Sequence, residues 1–134
     1  MPDPSTEPYL ALKVRMMPRD TNPHGTIFGG VLLSCIDQAG AVGADHDIRR
    51  RGLTSHPLVT VAMKSVEFHL PVYVGDVLSF LTTVVRVGRT SITVHVRVQA
   101  ERNSELVTLT EAEVTYVAVE MTNGERRPVP LENG

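Results

Sequence analysis

Apolar residues recur at every second position through much of this chain, and at helical spacing in one stretch only. In "YLALKVRMM", Leu10, Leu12, Val14 and Met16 alternate and predict a first strand. From about Gly29 to Arg49 the period lengthens, and one helix is predicted there, followed by the polar loop "RRRGLTSHP". Four more strands follow: "LVTVAMKSVEF", "DVLSFLTTVVRV", "SITVHVRVQAE" and "LVTLTEAEVTYVAVE". The third alternates most cleanly, Ile92, Val94, Val96 and Val98 against Thr93, His95, Arg97 and Gln99. The separators "PVYVG", "GRT" and "RNSE" are as short as antiparallel turns require. "NGERRPVPLENG" reads as a turn and a terminal tail, and Met1 to Pro8, with three prolines, as a disordered tail. One domain over residues 9–128 is expected, with tails at 1–8 and 129–134, no internal repeat and no linker.

One helix with about five antiparallel strands makes an α+β layer pair. At 100° per residue, Gly30, Ser34, Asp37, Gln38, Ala41 and Asp45 share a stripe about 100° wide. Val31, Leu32, Leu33, Cys35, Ile36, Ala39, Val42 and Ala44 fill the rest, joined by Gly29, Gly40 and Gly43. An ordinary surface helix has the reverse proportions. This helix should therefore be mostly enclosed by sheet, with its polar stripe against a second copy of the chain across a two-fold axis. Asp37 has no basic neighbour in sequence and is expected to be unpaired within its own chain.

Composition narrows the function classes. With 134 residues the chain can bury roughly two-thirds of its unfolded surface. A net charge of -2 supplies no reason to expect nucleic acid or an anionic membrane as partner. The single Cys35 excludes an internal disulfide and fits a reducing compartment. The acidic N-terminus lacks the basic and apolar regions of a signal peptide, and no apolar stretch nears the roughly 20 residues that span a bilayer. A soluble cytoplasmic protein is expected.

Four separated segments, "DTNPHGTIFGG", "DQAGAVGA", "VTVAMKSVEFHLPVYVGD" and "VGRTS", resemble the hotdog-fold acyl-CoA thioesterases, in particular the small bacterial single-domain kind. The resemblance runs from about Leu10 to Pro128. It implies a hotdog fold, in which a long central helix is wrapped by a five- to six-stranded antiparallel sheet. It also implies homodimers formed by joining two sheets, assembling further to tetramers or hexamers.

Thioester hydrolysis needs an activated water or nucleophile, donors for the developing oxyanion, and a grip on the carrier. Asp37 suits the first task as general base or nucleophile, the role the resemblance implies; its structural alternative is a helix carboxylate bonded to Ser34 or to a partner subunit. The resemblance gives Asn22 the task of orienting water or substrate, against a plain turn role favoured by Pro23. Gly29 and Gly30 open the helix, where unpaired N–H groups are available and a thioester can approach the backbone closely. Close packing of helix on sheet would explain the same two glycines. His24, with Gly25, is a binding candidate rather than a base.

Coenzyme A carries phosphates, so basic groups should line its approach. Arg89, Thr90 and Ser91 form a tight inter-strand turn suited to phosphate or pantetheine contact, as in related family members. Lys64 and the pair Arg126, Arg127 are further candidates, each also readable as a solvated charge. Arg49 to Arg51 suit the negative end of the helix dipole. The histidines show no ligand spacing, so neither a metal nor a redox cofactor is expected, coenzyme A entering only as part of the substrate. The expected activity is hydrolysis of acyl-CoA to acid and CoA. The alternatives are a hotdog hydratase or dehydratase, which would want a catalytic His near an acid, and a non-catalytic acyl-CoA sensor, for whose DNA-binding segment the first eight residues leave no room.

Overall fold

The computed structural model describes residues 7–133, so most of the expected N-terminal tail lies outside the described residues. Strand β1 (Tyr9–Arg15) leads through a 3-10 turn (Pro18–Asp20) to helix α1 (Gly29–Arg50). Strands β2 (Leu58–Phe68), β3 (Val77–Val87), β4 (Ser91–Arg102), β5 (Glu105–Thr122) and β6 (Glu125–Pro128) follow. All pairings are antiparallel, in the order β1-β3-β4-β5-β2, with β6 on the far half of β5. One long helix lies against one face of this six-stranded sheet, the α+β arrangement expected. No helix among the described residues is long and apolar enough to cross a membrane.

Period-two patterning decides which face meets the helix. On β4, Ile92, Val94, Val96 and Val98 are fully buried, and on β5 Ala112, Val114, Tyr116 and Ala118 join them. The intervening Thr93, His95, Arg97, Glu111 and Glu113 turn to the opposite face, as alternation in a strand requires. Two hairpins close through successive residues at positive φ, Asn103 and Ser104 (52° and 65°) and Asn123 and Gly124 (52° and 80°). Such turns match the right-handed twist of the flanking strands, and Asn and Gly tolerate them best.

The buried stripe of α1 comprises Leu32, Ile36, Ala39, Gly40, Gly43, Ala44, Asp47 and Ile48, one face only. The expectation of a helix mostly enclosed by sheet is corrected at Val42, which is exposed in a single chain, while Ser34 and Gln38, of the polar stripe expected to face a second copy, are open there too. Two glycines bring the helix down onto the sheet, since a Cβ at Gly40 would overlap the Tyr116 hydroxyl and one at Gly43 the Thr82 side chain. At the helix end Arg50 and Arg51 both pair with the buried Asp47, while Arg49 pairs with Asp45 at 2.7 Å. The three arginines therefore terminate the helix.

The C-terminal reading needs correction. Arg126 and Arg127 belong to β6, opposite Met121 and Glu120. Residues beyond 128 are fastened rather than trailing: Val129 N–H donates to Ala118 O (2.9 Å), Leu131 N–H to Arg89 O (2.8 Å), and Thr54 N–H to Glu132 O (3.0 Å). Leu131 packs against the edge of the core.

Candidate active site

Asp37 stands on the open face of α1, half-buried. Its Oδ1 accepts a 2.7 Å hydrogen bond from the hydroxyl of Thr60 on the edge strand β2. The acid is therefore partnered within its own chain, by a neutral hydroxyl rather than a cation, which corrects the expectation of an unpaired carboxylate. Behind it, the buried Tyr116 hydroxyl donates to the main-chain carbonyl of Asp37 at 2.6 Å. Burial, and next the Asp37 charge and hydrogen bond, push the Tyr116 phenol well above its ordinary value, so it stays a protonated donor. Gly40 leaves the room for this contact. Strand β5 thus fixes the height of the helix at the acid, and β2 fixes the direction of the carboxylate.

The loop before the helix is built around Asn22. Its Oδ1 accepts from the N–H groups of His24 (2.8 Å) and Thr26 (3.2 Å), and its Nδ2 donates to Thr26 Oγ1 (2.7 Å). This is the turn role weighed above. Gly25 completes the turn at φ +87°, a conformation that favours glycine. His24 is exposed at the turn tip. The N–H groups of Gly29 and Gly30 find no acceptor among the described residues, as expected of the first helical turn. A cleft of about 300 Å³ opens beside them, lined by Thr26, Ile27, Gly29, Leu32 and residues 68–72. Cys35 is half-buried, and burial, with the Asp20 charge behind it, raises its thiol.

Acid and amides lie at opposite ends of β2. A Cβ at Gly29 would touch the Phe68 ring at 3.6 Å, whereas Asp37 meets Thr60 near the start of that strand. Eight residues of helix put them about 12 Å apart along the axis, so a single chain does not focus both on one carbonyl.

The remaining candidates divide by sheet face and end. Register places Ser91 opposite Val117, and Val117 opposite Val59, so the Arg89–Ser91 turn lies at the same end as Thr60 and Asp37. Its backbone is fixed from both sides, Thr90 O accepting from Ala118 N–H (2.9 Å) and Arg89 O from Leu131 N–H, while the Arg89 side chain is exposed. An open groove of about 320 Å³ at this end is lined by Ala41, Val42, Asp45, His56 and Leu58. Lys64 lies elsewhere, on the sheet face away from the helix, 3.9 Å from Glu113. Arg126 and Arg127 are exposed on β6, Arg127 4.0 Å from Glu125. The structure therefore gathers Asp37 and the Arg89–Ser91 turn at one end of the sheet, and Asn22, His24, Gly25, Gly29 and Gly30 at the other.

Sequence reasoning missed Thr60 and Tyr116, which orient the acid and seat its helix. A threonine and a tyrosine in strands are ordinary residues, and only the three-dimensional pairing gives them roles.

Residues 24–107 match the family model of the thioesterase superfamily. The acyl-CoA thioester hydrolase YciA of Salmonella typhimurium is 36% identical over 97% of this chain and 96% of its own length. The crystal structure of a hexameric hotdog fold thioesterase of Campylobacter jejuni superposes with a TM-score of 0.78 at 40% identity, covering 97% of this chain and 93% of that one. An acyl-CoA hydrolase of Staphylococcus aureus, solved in complex with butyryl coenzyme A, coenzyme A and coenzyme A disulfide, superposes with a TM-score of 0.76 at 27% identity, over 91% of this chain and 70% of that one. Variants of that hydrolase with alanine at single aspartate, threonine and asparagine positions have also been solved. In fold, in length and across most of its residues, this chain belongs to the thioesterase superfamily.

Proposed function

We propose that the protein hydrolyses acyl-CoA thioesters to free acid and CoA, at sites formed between two antiparallel helices of a dimer. The observation that carries this reading is the Asp37 carboxylate, held by Thr60 on the open face of a helix whose own N-terminal amides are too far away to serve it. Opposing two such helices brings the amides of one to the carboxylate of the other. Asp37 then draws a proton from water, or attacks directly. As the oxygen nucleophile adds to the thioester carbon, charge gathers on the carbonyl oxygen, where the Gly29 and Gly30 N–H groups of the opposite subunit receive it. The C–S bond breaks and its electron pair leaves on sulfur; where Asp37 acted as base, the proton it took from water passes to the CoA thiolate. Where Asp37 attacked, water hydrolyses the resulting anhydride to free acid and the regenerated carboxylate, and the proton released in that step goes to the thiolate. Hydrolysis in either form needs no cofactor.

Asn22, His24 and Gly25 shape the loop that presents these amides, and Arg89, Thr90 and Ser91 bind the pantetheine or phosphates of CoA. That the Campylobacter relative is hexameric supports assembly of the dimers into a hexamer. The Staphylococcus variants touch the same three residue types as Asp37, Thr60 and Asn22, which also favours this reading. A CoA-dependent hydrolase with a half-buried free thiol fits the cytoplasm. The test is release of free thiol from acyl-CoAs of graded chain length. Wild type should turn over, and Asp37→Asn should keep CoA affinity while losing at least about a hundredfold in kcat, the scale of lost acid–base catalysis. CoA binding without thiol release from any acyl length would overturn the assignment in favour of a non-catalytic binder.

A further inference from the structure

The sheet face away from the helix carries a cluster that the hydrolytic site does not use. Glu67 and Glu111 are direct cross-strand partners on β2 and β5. Two carboxylates so placed repel unless a cation lies between them. His69 leaves β2 on the same side: its Nε2 is 3.0 Å from Glu111 Oε2 and 3.5 Å from Glu67 Oε2, and the three ligand atoms lie within 4.8 Å of one another. Zinc bonds of about 2.1 Å in a tetrahedron separate adjacent ligand atoms by about 3.4 Å, close to the spacing found here. The other oxygen of Glu111, Oε1, is held by His95 Nε2 at 3.0 Å, with Arg97 Nε at 3.7 Å. That is how outer partners orient a metal-bound carboxylate.

We propose that Glu67, His69 and Glu111 form a binding site for a divalent cation of the zinc class, with His95 positioning Glu111 and a water completing the coordination. One imidazole with two carboxylates favours a borderline ion over magnesium or calcium, which prefer all-oxygen shells. The ion takes the place of the hydrogen bond between His69 Nε2 and Glu111, the imidazole binding through Nε2 with its hydrogen on Nδ1. The expectation that no metal is bound rested on spacing along the chain, which does not show ligands from two strands joining across a sheet.

The site has a structural consequence. The N–H groups of His69 and Leu70 both donate to Leu109 O, at 2.8 and 3.2 Å, and residues 68–72 form one wall of the cleft beside Gly29. An ion on His69 pins the start of that wall to β5. The proposal rests on the ligand geometry of Glu67, His69 and Glu111 and not on the thioesterase reading, although His69 also lines the cleft beside Gly29.

The experiment uses the full chain, stripped with a chelator, and zinc chloride alone, titrated by competition with a chromophoric chelator. Wild type should bind one zinc per chain, tightly enough to take the ion from the competing chelator. His69→Gln and the more exposed Glu67→Gln should each weaken it at least tenfold, while His24→Gln leaves it unchanged. At equal zinc concentration the thermal midpoint of wild type should rise by more than that of His69→Gln. Absence of stoichiometric zinc binding, or equal affinity in wild type and both cluster variants, would overturn the site.

Discussion

The Thr60 hydroxyl donates to Oδ1 of Asp37 across the gap between an edge strand and the helix, at 2.7 Å. That bond selects one carboxylate direction and leaves Oδ2 with no hydrogen-bond partner among the described residues. Thr60→Val keeps the shape and removes the donor. A hydrogen bond to a charged group is worth about 1.5–3 kcal/mol, so kcat for acyl-CoA should fall by about ten- to a hundredfold. The KM should move little, because Thr60 touches the acid and not the carrier. Steady-state thiol release separates the two constants. A rise in KM with unchanged kcat would assign Thr60 to substrate binding instead.

Gly40 is where the helix and the Tyr116 hydroxyl meet. Gly40→Ala gains about 1 kcal/mol in helix propensity, but the new methyl has no space above a fully buried ring. Overpacking costs about 1–3 kcal/mol, so the thermal midpoint should fall. In the Tyr116→Phe background the hydroxyl is gone and the penalty should shrink. It should not vanish, because the ring carbon Cζ would still sit 3.1 Å from the added methyl. Additive effects in this double-mutant cycle would mean that the two residues do not share the space.

Asp45 fastens the loop after the helix, accepting from Ser55 Oγ at 2.5 Å and from Arg49 Nε at 2.7 Å. Burial alone would raise its carboxyl, but those two bonds and the charges of Arg49 and His46 outweigh it and hold it below the ordinary 3.8. A depressed folded value stabilises the protein above the unfolded value, and that contribution disappears as pH falls through the folded one. Thermal midpoints measured from about pH 5 to about pH 3 should therefore drop more steeply for wild type than for Asp45→Asn. Parallel curves would show that other carboxylates control the acid limb.

The strands and their inward faces were legible because period-two alternation meets a single buried side, as Ile92 to Val98 show. β6 escaped notice for the converse reason: Glu125, Arg126, Arg127 and Pro128 are all exposed and carry no alternation. The fastening of residues 129–132 depends on main-chain hydrogen bonds, to which side-chain pattern is blind. The apolar circumference of α1 overstated its enclosure because Val42, 47% exposed in one chain, is covered by no element of its own sheet. At the site, Asp37 stood out as a lone acid in an apolar helix. Thr60 did not, since nothing distinguishes it in sequence from the other threonines of its strands. Asn22 was found by position, and the structure gives it a set of loop contacts in addition to any contact with substrate.

Division of the site between subunits makes the strongest demand. Gly29 is the first residue of α1, where proline is well tolerated, and Phe28 before it has φ -63° and ψ 131°, the extended conformation that a following proline prefers. Gly29→Pro should therefore fold while deleting one amide donor, and lose about a hundred- to a thousandfold in kcat, the usual cost of an oxyanion donor. Asp37→Asn is inactive for a different reason. Mixing the two proteins and letting subunits exchange yields heterodimers in which one site carries both defects and the other neither. Each isolated heterodimer should then regain up to half the activity of a wild-type dimer, although both parents are inactive. Thiol release by heterodimers purified through two different affinity tags measures this directly. Heterodimers as inactive as their parents would place acid and amide in the same chain, and the intersubunit site would have to be abandoned.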